Sequence, residues 1–147
     1  MKAASAIKGS YVLLMSLPEE WKSTVGRLGT IYFPSGYYAY VGSALGGFRS
    51  RLDRHLRTGK KPHWHIDYLR EKALLDAIIT GESPERTECT IALALDRHFG
   101  SVPGFGTSDC RCRSHLFFGT GDMTQEVISA FEGISLRPRL EYIQGQH

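Results

Sequence analysis

Tyr40-Val41-Gly42-Ser43-Ala44 runs into Phe48-Arg49-Ser50-Arg51-Leu52-Asp53-Arg54-His55-Leu56. This junction decides the fold, because a strand that ends tightly feeds straight into a basic helix. Apolar residues recur at every fourth position, Phe48, Leu52 and Leu56, the spacing of a helix with one face turned to a sheet. At about 100° per residue, Arg51 and His55 fall together beside that stripe, while Arg57 and Lys60 point away. A basic residue beside a buried stripe lines the edge of a cleft, and one opposite it is solvated. The junction thus gathers a phenol, a guanidinium and an imidazole at one place.

Working outward, periodicity and punctuation predict strands over Tyr11 to Leu17, Gly29 to Phe33 and Tyr37 to Gly42, and a helix from Phe48 to Thr58 stopped by Gly59. Ser83-Pro84-Glu85 carries an N-cap, a first-position proline and an acid, predicting a helix through Glu88, Ile91, Ala92, Leu95 and Phe99 to a stop at Gly100. Glu88 then falls in its second turn. Asp122-Met123-Thr124-Gln125 has the spacing of a capping box before a short helix over Val127 to Phe131. The expected architecture is a small α+β domain, a central and mostly antiparallel or mixed sheet flanked by helices. Residues 1–133 form that single domain and 134–147 a loose tail.

Composition bounds the partners. A chain of 147 residues, 41% hydrophobic and without a long polar linker, suits one domain. No apolar run approaches the roughly 20 residues that span a bilayer, and Met1 to Lys8 is too short and weakly apolar for a signal peptide. The expectation is a soluble, cytoplasmic protein with no membrane partner. Three cysteines, an odd number, argue against a disulfide framework and agree with a reducing compartment. The net charge of +3 hides an asymmetry: Arg49 to Lys61 holds six basic residues against Asp53 alone, so the rest of the chain is net acidic. Clustered Arg and Lys release counterions from nucleic acid, and the cluster sits next to the Tyr40 corner.

Tyr40-Val41-Gly42, with Gly9-Ser10-Tyr11 opening the apolar run Val12-Leu13-Leu14-Met15, resembles the paired tyrosine elements of the GIY-YIG nuclease superfamily, and more narrowly its Uri-type endonuclease branch. The resemblance extends from Gly9 to about Phe118, through Trp64-His65-Ile66-Asp67-Tyr68-Leu69 and Phe105-Gly106-Thr107-Ser108-Asp109-Cys110. It implies that Tyr11 and Tyr40 lie on neighbouring strands, that Arg51 and His55 are the arginine and histidine of the following helix, and that Glu88 is the metal-binding glutamate. A polar side chain downstream of Glu88, usually Asn, would be Ser108 or Asp109 here. Between the two tyrosine elements stands Ser16 to Ala39, rich in turn formers, where an extra hairpin or strand is expected. Tyr32 in that insertion is a rival for the first tyrosine, and Tyr11 is retained.

Hydrolysis of a phosphodiester needs a water, a group to take its proton, and positive charge where the phosphorane and leaving oxygen become negative. Arg51 offers a planar, permanently charged fork. Glu88 can hold one Mg²⁺ or Mn²⁺ through its carboxylate. Tyr11, Tyr40 and His55 form the proton-handling set, with the base unassigned among them, and a phenol near Arg51 and a metal is expected to have a lowered pKa. Ser43, Arg49, Arg54, Arg57, Lys60 and Lys61 are the expected nucleic-acid contacts, with His65 as an accessory phosphate contact. The expected function is a metal-dependent endonuclease acting on DNA, structured or single-stranded, in repair or processing. The alternative is a nucleic-acid-binding module without catalysis, zinc-stabilised in one form. Oligomeric state is left open.

Cys89, Cys110, Cys112 and His115 are a second constellation. They have the ligand types of a Cys3His zinc site, but Cys-x-Cys is tighter than the usual two-residue gap. We read them as reduced cysteines packed as small apolar groups near the helix of Glu88, with zinc as the alternative.

Overall fold

A computed structural model describes residues 8–44, 47–56, 64–107 and 110–143, the side chains of Arg49 and Ser50 apart. In chain order the elements are β1 (Gly9–Leu17), β2 (Trp21–Thr24), a 3-10 turn (Gly26–Leu28), β3 (Thr30–Phe33), β4 (Gly36–Ser43), α1 (Phe48–Leu56), α2 (His65–Arg70), β5 (Leu74–Glu82), α3 (Glu88–Asp96), β6 (Gly100–Ser101), β7 (Leu116–Gly119), α4 (Thr124–Glu132) and β8 (Arg139–Tyr142). Six strands form one open sheet in the order β6-β7-β4-β1-β5-β8. Every pairing in it is antiparallel, so the α+β expectation holds. The insertion between the tyrosine elements folds as a hairpin of its own, β2 against β3. No helix among the described residues is long and apolar enough to cross a membrane.

The strand β1 is central, and its residues alternate between two cores. Tyr11, Leu13, Met15 and Leu17 pack on one face with Phe33, Ile66, Leu69 and the partly buried Phe48 and Leu52. Val12 and Leu14 pack on the other with Ile91, Leu95, Val127 and Phe131. The period of two in the strand thus makes three layers: α1, α2 and the β2–β3 hairpin, then the sheet, then α3 and α4. Full burial of side chains such as Leu13, Ile79 and Phe131 stabilises the fold by roughly 1.5–3 kcal/mol each.

Four local expectations need correction. The helix signalled at Ser83 begins later, at Glu88, because the Ser83 Oγ accepts a hydrogen bond from Glu85 N in a local turn while Ser83 N is tied to Lys8 O. Glu88 is therefore the first helical residue, not part of a second turn. The Asp122 capping signal is real but short-range: Asp122 Oδ1 accepts from Thr124 N and Thr124 Oγ1, and α4 starts at Thr124. The loose tail over 134–147 contains a strand, β8, whose Leu140 pairs with Ile79. An edge strand is held by its backbone ladder and carries charge, so its sequence shows little apolar alternation. In α1, finally, Leu56 is 43% exposed and His55 fully buried, because the imidazole has a polar partner in the core. The expected continuation of that helix to Thr58 lies outside the described residues.

Candidate functional site

The antiparallel register sets Tyr11 opposite Gly42 and Leu13 opposite Tyr40. Tyr11 and Tyr40 are therefore diagonal neighbours on one face of the sheet. The Tyr11 ring lies across the bare Cα of Gly42: a Cβ there would come within 2.8 Å of Tyr11 Cε1 and closer still to Cζ and Oη. That approach is why glycine follows Tyr40-Val41. Tyr11 Oη and His55 Nε2 share a buried hydrogen bond of 2.7 Å, and the His55 ring also stands 6.3 Å from that of Tyr40. Tyr32, the rival, is 51% exposed on β3, away from this cluster.

The helix α1 presents its cations to an aromatic floor. The guanidinium carbons of Arg51 and Arg54 lie 4.5 Å and 4.0 Å from the Trp64 ring centroid, attracted by its π face. Both terminal nitrogens of Arg54 donate to Asp67 at 2.8 Å, and Trp64 N donates to the same carboxylate. Arg54, expected at the nucleic-acid surface, is thus committed to a fold-internal fork, and the Asp67 bond raises its pKa. His65 Nδ1 accepts a hydrogen bond from Gly106 N at 2.8 Å, so the neutral ring carries its proton on Nε2. Burial lowers its pKa and favours that neutral form.

Glu88 is fixed from both sides. Ser10 Oγ on β1 and Thr87 Oγ1 are hydrogen-bonded at 2.6 Å, anchoring the start of α3 to the sheet, and Ile91 N closes the first helical turn on Thr87 O. Glu88 is 7% exposed, and its Oε2 is buried without a hydrogen-bond partner among the described residues. A carboxylate oxygen left so is costly unless something arrives to satisfy it.

A cavity of about 180 Å³ joins these groups, lined by Tyr40, Val41, Gly42, Ser43, Arg51, Arg86, Glu88, Gly106, Cys110 and His115. It brings together Tyr40, Arg51 and Glu88 of the expected catalytic set, with Ser43. Tyr11 and His55 stand behind its wall rather than on it. The expectation of a lowered phenol pKa is reversed at Tyr11: burial pushes it well up, Tyr40 adds to that, and Arg51 only opposes it in part. Arg86 is a wall residue that sequence reasoning missed, its only signal being two-residue proximity to Glu88. Gly106 is another, with φ +72° and a Cβ position 3.0 Å from the Tyr40 ring. Arg57, Lys60, Lys61, Ser108 and Asp109 lie outside the described residues, as does the side chain of Arg49.

On the same wall begins the cysteine constellation. Cys89, Cys110, Cys112 and His115 present ligand atoms that all lie within 4.8 Å of one another. The group could hold a metal ion, and its sulfur and nitrogen donors suit zinc better than Mg²⁺. Burial, reinforced by the neighbouring thiols, pushes the Cys89 pKa well up.

No curated protein and no solved structure matches the chain. The family model described as "Domain of unknown function DUF123" matches residues 10–136, a span that takes in both tyrosines, α1, Glu88 and the cysteine constellation. The chain belongs to that family, the Uri-type GIY-YIG-like one.

Proposed function

We propose that the cavity is the cleavage site of a metal-dependent endonuclease acting on DNA, in repair or processing of structured or single-stranded substrates. The observation that carries this reading is a small polar cavity holding Arg51, Tyr40 and a buried Glu88 oxygen that has no hydrogen-bond partner among the described residues. A phosphate entering it meets Arg51 and Arg86, whose charges stabilise the negative phosphorane. Arg51 is steadied over Trp64, so its fork needs little reorganisation. Glu88 is the residue that would hold a divalent cation, Mg²⁺ or Mn²⁺, by a hard oxygen donor. When bound, such an ion supplies positive charge at the phosphate and leaving oxygens. Tyr40, as the phenol on the wall, accepts the attacking water's proton in its ionised form. The Tyr11 and His55 pair behind it acts in positioning.

The test is cleavage of a panel of labelled branched, nicked and single-stranded DNAs with Mg²⁺ or Mn²⁺. Arg51→Ala and Glu88→Gln are expected to fold normally and lose about 10²–10³-fold in turnover, with binding better preserved. Tyr40→Phe should lose more activity than Tyr11→Phe, since only the former removes a wall hydroxyl. Wild-type rates in both Arg51→Ala and Glu88→Gln would overturn the site. Binding of the whole panel by the native protein without any cleavage would favour the non-catalytic module instead.

A further inference from the structure

Cys89 comes from the first turn of α3, Cys110 and Cys112 from the loop between β6 and β7, and His115 from the residue before β7. These segments meet although no disulfide joins them. His115 is placed by the backbone, its N donating to Phe105 O and its carbonyl accepting from Val41 N. Its Nε2 stands 3.8 Å from Cys89 Sγ and 3.5 Å from Cys110 Sγ.

Those separations can be compared with coordination geometry. Zinc binds thiolate sulfur at about 2.3 Å and imidazole nitrogen at about 2.0–2.1 Å, so a tetrahedral angle puts adjacent sulfur and nitrogen roughly 3.6 Å apart. The two observed edges bracket that length. We infer that Cys89, Cys110, Cys112 and His115 bind one zinc ion in a closed structural site that clips the start of α3 to the β6–β7 loop. Three sulfurs and one imidazole are the donors that zinc takes in such sites. Four protein ligands complete the tetrahedron and leave no open position for a reacting water, which separates this ion from any held at Glu88.

The clip has a structural consequence. Glu88 adjoins Cys89 in the chain, and Cys110 and His115 line the same cavity as Glu88. Zinc therefore fixes three parts of that wall, whatever chemistry the cavity performs. The tight Cys-x-Cys spacing is accommodated because Cys89 comes from α3, so the loop before β7 has to supply only three of the four ligands.

The experiment is metal analysis of the full chain expressed with added zinc and dialysed, followed by replacement with cobalt(II). Expected are close to one zinc per chain, a thiolate-to-cobalt charge-transfer band, and the intense visible bands of tetrahedral cobalt. Cys110→Ser and Cys112→Ser should each lose most of the metal, whereas Glu88→Gln should keep it. Native protein without bound zinc, a cobalt form without thiolate absorption, or zinc lost in Glu88→Gln but kept in the cysteine variants would each overturn the inference. Because the cobalt spectrum is read on the native chain, misfolding of a cysteine variant does not blunt the test.

Discussion

Gly42→Ala is the sharpest test of the tyrosine corner. Gly42 is in a strand with φ outside the left-handed region, so alanine there meets no backbone strain. In an exposed strand the change would even stabilise by about 0.4–1 kcal/mol, through the unfolded chain. Here the added Cβ would lie 2.8 Å from Tyr11 Cε1, where ordinary contact begins at 3.4 Å, so that ring edge has to retreat by at least 0.6 Å. The ring atoms Cζ and Oη, closer still, have to retreat further. Tyr11 is 1% exposed and its hydroxyl is bonded to the fully buried His55, so the ring has no free space to enter. Overpacking of this kind costs about 1–3 kcal/mol, and disruption of the Tyr11 to His55 bond adds about 1 kcal/mol. The expected net loss is about 1–3 kcal/mol, read as a lower urea midpoint at unchanged slope. The cause is specific, so Gly42→Ala should cost little in a Tyr11→Ala background, giving a coupling of about 1–3 kcal/mol in the double-mutant cycle. An undiminished cost in that background, or no cost in either, would refute the packing account.

Two other predictions follow from the brace around Trp64. Arg54→Ala removes the two guanidinium donors to Asp67, whose side chain is 1% exposed, and should destabilise by about 3 kcal/mol, because it leaves a buried carboxylate short of its charged partner. Arg54→Lys should recover only part of this, since an ammonium cannot reproduce the fork, and a loss below about 1 kcal/mol for the alanine variant in urea unfolding would contradict the assignment. His65 has its pKa lowered by burial, so as pH falls through the ordinary imidazole value the unfolded chain takes up the proton first. Its contribution to stability is complete above about pH 6.5 and is lost progressively below it. Urea midpoints should therefore fall less steeply on acidification in His65→Asn than in the native chain, and superimposable profiles would show that the Gly106 to His65 bond is not the titrating element.

Much of the fold was legible because β1 and β4 are marked by short-range rules. A run of apolar residues behind Gly9-Ser10-Tyr11 and a second ending at Gly42 give two buried strands whatever follows them. The helix α1 was legible from its period, and Arg51 beside the stripe proved to line the cavity. His55 was misplaced at a cleft edge because helical periodicity ranks positions by hydrophobicity, and a histidine whose polar atom is satisfied by Tyr11 can take the deepest position on the face. The same blindness hid Arg54: five donors on a long stem look solvated until Asp67, thirteen residues later, is seen to meet them. The edge strand β8 and the late start of α3 escaped for another reason. The first is decided by its backbone ladder to β5, and the second by the bond from Ser83 N to Lys8 O together with a local turn on the Ser83 hydroxyl that looks, in sequence, like a helix cap.

The cysteines show how spacing rules can mislead when one ligand, Cys89, is not local. Judged as a loop, Cys110-x-Cys112 is too tight for a zinc knuckle, and packing was the simpler reading. The fold changes the question, because the pairing of β7 with β4 brings His115 beside the Tyr40 corner, and the bond between Ser10 and Thr87 ties the start of α3 to the neighbouring β1. Cys89 thus arrives from a helix that the sheet has already positioned. The cavity is consequently bounded by three independent fastenings: a glycine that admits the Tyr11 ring, a tryptophan that carries two guanidiniums, and a thiol cluster next to Glu88. Each fastening lies beside the proposed site and not at Arg51, Tyr40 or Glu88, so mutations that loosen one should change stability or metal content before they change any activity that depends on those three residues.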